Sequence, residues 1–438
     1  MTMASLALGR VTSAVTRRAV SGSIAGREFS TLLAVTEEFP GLPSTTPTPG
    51  KASSASATTL PNGLTVVTED ASSTSTISLT YPGAGSASET ASEAGAALAN
   101  KCLAFKSGSG LSSTLILRNL EDDGATPFAT SGRKGTTVGF TAAPDKAVRL
   151  MPLLVADCSF EKWDVRDAKK FAATEADIAS ADAQITMTDQ IYAAAYGAQS
   201  AMGRGYYTAG ASTDSIISFR ERTYTLNGAV LAATGISDHE SFVLAVQEGF
   251  AEANASAPAE APASAYMGGE ARLSAPSTGY AHLALAFEGP ASSPLINVLK
   301  HCLTLAAPEG VSAFVAPTLI GVYGGSAAAG ASAVADSLCA AVSAAPSADV
   351  VERAKGLAKA EALFALDGGS QSLASSMTSS VLESCTYSAA GVAASYDAVT
   401  AEDVGAAFSA MVGSNPSLAA LGDISSVPYH ATIAARFS

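Results

Sequence analysis

The sequence predicts an α+β fold built from two similar halves, each with helices packed on a sheet, and three observations carry that prediction. The first is size and composition. At 438 residues, 47% apolar and 15% charged, with a mean hydropathy of +0.26, the chain can bury more than one core and is too apolar for general disorder. The second is an internal repeat. Ile77-Ser-Leu-Thr-Tyr-Pro-Gly-Ala-Gly-Ser86 lies over Leu283-Ala-Leu-Ala-Phe-Glu-Gly-Pro-Ala-Ser292 at an offset of 206, a strand and glycine turn leading into a helix. Val165-Arg-Asp-Ala-Lys169 with Glu175 lies over Val351-Glu-Arg-Ala-Lys355 with Glu361 at 186, and Leu231-Ala-Ala-Thr-Gly235 over Leu418-Ala-Ala-Leu-Gly422 at 187. The second half is thus shorter by about 20 residues, lost between Ser292 and Val351. The third is a low-complexity stretch of Ala, Pro, Glu and Ser, residues 251–265, which divides the chain into halves of similar size and reads as a linker.

Taken in order, residues 1–29 read as a mitochondrial transit peptide. The first 27 hold Arg10, Arg17, Arg18 and Arg27, no Asp or Glu, and frequent Ser, Thr and Ala. Arg27 two residues before the cut and Phe29 immediately before it place processing ahead of Ser30. Residues 30–56, rich in Pro, Thr, Ser and Gly, form an extended arm. The first domain then spans 57–250. Leu60-Pro-Asn-Gly-Leu-Thr-Val-Val-Thr68 is a turn feeding a β-branched strand, Thr76 to Tyr81 a second strand, and Ala91 to Phe105 a helical run. The second domain spans 266–438. Its long uncharged run, Gly310 to Ala335, is broken by Pro317 and four glycines, so it reads as strand, turn and buried helix rather than a membrane span. Within it Gly324-Gly325-Ser326 marks the exit of a strand over Thr318 to Tyr323.

Chemistry is sparse in the motifs. Lys plus Arg number 25 against 39 Asp plus Glu, a formal charge of -14 that opposes nucleic acid as a partner. Cys102, Cys158, Cys302, Cys339 and Cys385 lie far apart and read as reduced, small buried hydrophobes. The four histidines, His239, His282, His301 and His430, form no H-x-x-H, H-E-x-x-H or H-x-x-E-H pair, so no helix offers zinc two imidazoles on one face. His239 reads as a solvent-exposed helix start, His301 as part of a half-buried helix, and the other two as boundary residues. No nucleophile elbow or phosphate loop is present, and Glu121-Asp122-Asp123 reads as a solvated turn before Gly124.

The duplicated halves, the Leu60-Pro-Asn-Gly-Leu64 start, the glycine turn and the helix ending Cys102-Leu-Ala-Phe-Lys106 resemble the mitochondrial processing peptidase and respiratory core-protein family, relatives of the inverted-zinc-motif metallopeptidases. The resemblance implies two homologous domains, each a mostly antiparallel sheet packed with helices. Active members carry G-x-A-H-F-L-E-H-L-A-F-K on that helix. Aligning Gly95-Ala-Ala97 and Ala104-Phe-Lys106 leaves Leu98 and Cys102 at the histidine positions and Lys101 at the general-base glutamate, with Glu175 near the third ligand. Leucine cannot ligate zinc and an ammonium repels it, so the motif is degenerate; no metal, no cofactor and no peptidase activity are expected.

Gly235-Ile-Ser-Asp-His-Glu-Ser-Phe-Val243 is similar to the family's strand-to-helix passage before the last helix of the first domain, and the C-terminal Ser417-Leu-Ala-Ala-Leu-Gly-Asp-Ile-Ser-Ser-Val-Pro-Tyr429 to the respiratory core proteins of ubiquinol-cytochrome c reductase, complex III. That implies a non-catalytic structural subunit on the matrix side of the mitochondrial inner membrane. It would form a heterodimer with a homologous core subunit and meet the membrane only through other complex III subunits. The alternative is the non-catalytic, substrate-recognising α subunit of the processing peptidase, which captures presequences with a glycine-rich loop. The corresponding stretch, Leu303 to Phe314, holds one glycine and no run, which favours the core protein.

Overall fold

Strand pairing follows from side-chain alternation. In the strand Ser75–Tyr81, Ile77, Leu79 and Tyr81 join one core while Thr76, Ser78 and Thr80 lie on the opposite face, and every residue is buried. A strand buried on both faces needs cover on both, and the fold supplies it. The structure is a computed structural model that describes residues 55–155, 158–257, 260–383 and 388–437, all within the unit Lys51–Ser438. The expected leader, its expected processing site at Arg27, Phe29 and Ser30, most of the expected arm, and Cys385 lie outside the described residues.

The first sheet holds β1 (Ala55–Thr59), β2 (Thr65–Glu69), β3 (Ser75–Tyr81), β4 (Thr126–Ser131), β5 (Thr136–Ala142) and β6 (Val230–Ala233) in the order β1-β2-β6-β3-β5-β4. The second holds β7 (Gly269–Ser274), β8 (Tyr280–Glu288), β9 (Val311–Ala316), β10 (Leu319–Ala327) and β11 (Ser417–Gly422) in the order β7-β11-β8-β10-β9. Only β2 with β6 and β7 with β11 run parallel; the other neighbours are antiparallel. Setting β1 aside, the two sheets have one topology. The register agrees too: Ile77 faces Ala233 and Leu283 faces Ala420, so the offsets of 206 and 187 map one pair onto the other.

The helices of the first half are α1 (Ala96–Cys102), α2 (Ser113–Asp122), α3 (Pro144–Leu150), α4 (Lys162–Ala181), α5 (Ala183–Tyr196), α6 (Thr213–Thr223) and α7 (His239–Gly249). Those of the second are α8 (Ser293–Ala306), α9 (Ala331–Ala341), α10 (Ala348–Asp367), α11 (Ser370–Leu382), α12 (Ala389–Asp397), α13 (Ala401–Gly413) and α14 (His430–Ala434). The long helices α4 and α10 repeat each other closely. Val165, Ala168 and Ala172 are buried in one, and Val351, Ala354 and Ala358, each 186 positions on, in the other. The second half is shorter because α8 alone stands between β8 and β9, where α1 and α2 stand between β3 and β4.

Each sheet has a core on one face and a borrowed helix on the other. Val66, Ile77, Leu79, Phe140 and Leu231 share a core with Leu120, Phe219 and Val246 of the first half. The opposite face, Val67, Val230 and Ala232, is covered by Ala374 and Met377 of α11, a helix of the second half. Conversely, Ala284, Ala286, Leu319 and Ala419 of the second sheet are covered by Met187, Ile191, Tyr192 and Tyr196 of α5. The two halves thus exchange corresponding helices. Polar contacts fix both: the Tyr192 hydroxyl donates to Pro317 O (2.6 Å), and the Thr76 hydroxyl donates to Ser370 Oγ (2.8 Å).

Three sequence expectations are corrected. The run from Ala91 to Phe105 is not one helix: a 3₁₀ turn over Ala91–Glu93 is separated from α1 by Gly95 at φ 85°, where an added Cβ would lie 2.4 Å from Thr208 O. Gly324, Gly325 and Ser326 lie inside β10, in register with β8, and the glycine at 325 makes room for the Tyr280 ring, 2.8 Å from where a Cβ would stand. His239 does start α7 but is half-buried, with one ring nitrogen 2.8 Å from the Thr58 hydroxyl and the other 2.8 Å from that of Thr68. Among the other such expectations, Asp123 caps α2 and pairs with Arg149. Cys302 and Cys339 are buried, while Cys102 and Cys158 are only partly so.

Candidate functional site

The degenerate motif sits on α1, a helix held by residues outside it. At its start the buried Glu89 carboxylate accepts the N–H groups of Gly95 (3.1 Å) and Ala97 (2.8 Å), where the helix leaves its first amides unpaired. Arg204 clamps the same turn by donating to the carbonyls of Glu89 (2.8 Å) and Thr90 (2.7 Å). Burial outweighs these bonds and pushes the Glu89 carboxyl up to about 7. Further along, Asn100 Nδ2 donates to Ile216 O of α6 (2.9 Å).

The four motif positions converge between α1 and α4. Leu98 is fully buried against Ala172 and Tyr206, with Cys102 and Tyr207 at the edge of the same cluster. Lys101 Nζ lies 2.5 Å from Glu175 Oε2, with the lysine side chain 19% exposed and the glutamate 36%. The Cys102 thiol is pushed up to about 11, first by burial and then by the Glu175 charge, so it is protonated at neutral pH. What occupies this space is therefore an aliphatic side chain, a neutral thiol and an ammonium–carboxylate pair. Zinc needs three lone-pair donors with room for a water, and these residues do not fit it. Among the described residues no three His, Cys, Asp or Glu side chains gather to hold a metal.

The second half repeats the ion pair. Glu361, the counterpart of Glu175, receives Lys300 Nζ at 2.7 and 2.9 Å and stands 2.7 Å from His301 Nε2, both basic residues coming from α8. The Lys300 hydrogen bonds hold its carboxyl below the usual range.

Residues 65–207, from β2 to just beyond α5, match the sequence model of the insulinase family, peptidase family M16. This stretch, about a third of the chain, is similar to an M16 peptidase domain. Curated relatives include the mitochondrial-processing peptidase subunit alpha of Solanum tuberosum, 28% identical over 242 residues, and subunit alpha-2 of Dictyostelium discoideum, 26% identical over 250 residues. Those matches cover 53% and 55% of this chain and 47% and 56% of the relatives, so the chain spans about half the length of the curated relatives it matches. Among solved structures, a chain of "Complex III2 from Candida albicans, Inz-5 bound" superposes with a TM-score of 0.74 at 20% identity, covering 87% of this chain and 99% of that one. At that identity the likeness is one of fold, and it takes in both halves of this chain.

Sequence reading placed Leu98, Lys101, Cys102 and Glu175 at the motif, and the fold brings them together. It missed Glu89, Arg204 and Tyr206. Arg204 reaches Glu89 from 115 positions away, a contact no local pattern reveals. One signal was available nearby: Thr90-x-x-Glu93 is a capping box, and its Glu93 pairs with Arg222 at 2.5 Å.

Proposed function

We propose that this chain is a non-catalytic structural subunit of mitochondrial ubiquinol-cytochrome c reductase, corresponding to its second core protein. One observation carries the absence of catalysis: Lys101 and Glu175 neutralise each other where an active relative would hold metal and base. The fold likeness to a chain of a complex III structure, over nearly all of that chain, supports the assembly. In this reading the protein pairs with a homologous core subunit on the matrix side and is peripheral to the inner membrane. Among the described residues no helix is long and apolar enough to cross a membrane, which agrees with attachment through partners. The proposal keeps residues 1–29 as transit peptide, 30–56 as arm, 57–250 and 266–438 as the two peptidase-like domains and 251–265 as linker.

The second reading, the α subunit of the processing peptidase, is favoured by the curated relatives, which carry that name. Against it stands the stretch between α8 and β9, where residues 307–310 form a short loop with one glycine. Blue-native electrophoresis of the native organelle decides. Co-migration with cytochrome b is expected, and a soluble peptidase dimer would replace this reading with the second. Metal-dependent cleavage of a presequence peptide by the purified chain alone would overturn both.

A further inference from the structure

We propose that a cavity on the α11 side of the first sheet binds a phosphate ester. It has a volume of 720 Å³ and lies at the end of the sheet away from Ser370, between β3, β5, the segment before β6 and the last residue of α11. The chain as a whole carries 39 acidic against 25 basic residues, yet no Asp or Glu lines this cavity and Lys134 does. Lys134 is exposed and has no ion-pair partner among the described residues. The walls carry hydroxyl donors. Thr80 and Thr137 are register partners whose hydroxyls lie 2.8 Å apart; whichever donates, the other keeps a proton for a ligand.

Thr225 supplies the second observation. It lines the cavity, is 3% exposed, and its hydroxyl has no hydrogen-bond partner. A buried hydroxyl without a partner is destabilising. In this proposal a ligand in the cavity is the partner that the hydroxyl lacks, reached by a turn about χ1. Donors without carboxylates, a cation at the rim and the Asn227 amide suit the several acceptor oxygens of a phosphate. Pro82 and Leu382 give the ester an apolar wall.

The test is calorimetric titration of the purified full chain with inorganic phosphate against chloride at matched ionic strength. Saturable binding is expected in the wild-type protein. Lys134→Ala should weaken it about tenfold, the effect of losing one charge-assisted hydrogen bond. Thr225→Val, equal in shape, should weaken binding while leaving the melting temperature unchanged or higher. No binding to wild type, or equal binding by both variants, overturns the proposal. Flotation with vesicles of phosphatidylcholine containing phosphatidate then identifies the source: Lys134-dependent flotation indicates a lipid headgroup, and phosphate binding without flotation a free phosphate ester.

Discussion

At Lys101 an ammonium occupies ground that a divalent ion would otherwise take, and Glu175 turns from a prospective ligand into a counter-ion. The substitutions Leu98→His, Lys101→Glu and Cys102→His together return two imidazoles and a general-base carboxylate to the site beside Glu175. This variant is expected to retain about one zinc per chain through gel filtration, read by elemental analysis, whereas the parent should retain none. A folded variant that stays zinc-free would show that Tyr206 and Ala172 have closed the space. Glu89 makes a pH prediction. Its carboxyl is raised from 4.5 to about 7 in the fold, so its contribution to stability is complete below about pH 4.5 and is lost as pH rises through 7. Glu89→Gln removes that dependence. The stability gap between variant and parent should move in the variant's favour by up to about 3 kcal/mol between pH 4.5 and 8, followed by urea denaturation across pH. Leu98, Lys101 and Cys102 were legible because they share one helix with a spaced pattern. Glu175, 74 positions beyond Lys101, was placed only by the family resemblance; its pairing with Lys101 and the role of Glu89 had no signal in the sequence.

At the scale of elements, α1 depends on its entry. Gly95 combines a left-handed backbone with a close approach to Thr208 O. Gly95→Ala meets both penalties and should cost about 2 kcal/mol or more, measured as a fall in the denaturation midpoint. The exchanged helices make a second prediction. Met377 is fully buried against Val67, Val230 and Ala232 although it belongs to the other half. Met377→Ala should cost about 2–5 kcal/mol, and the amides of β6 should lose hydrogen-exchange protection with it. Unchanged protection in β6 would show that α11 adds nothing to the first sheet. The exchange was not readable from sequence. Met187, Ile191 and Tyr192 mark α5 as buried, but periodicity names the buried face and not the sheet that receives it.

For the whole molecule, the repeat was legible where it lies in sheets. β3 with β8 and β6 with β11 are buried on both faces, so a one-residue slip would have broken the match. Around α1 and α8 the repeat fades, because one helix replaces two. The exchange also predicts how the halves hold together. A protease site inserted among residues 251–257 and then cut should leave the two fragments co-eluting in gel filtration under native conditions, because α5 and α11 bind across the cut; separation of the fragments would show that the linker is the main tie. The same arrangement governs the order in which the chain can mature during synthesis. The ribosome delivers β2, β3 and β6 more than a hundred residues before the helix that shields their outer face. The nascent amino-terminal half therefore waits with Val67, Val230 and Ala232 bare, a strand surface open to aggregation until the chain's last third emerges.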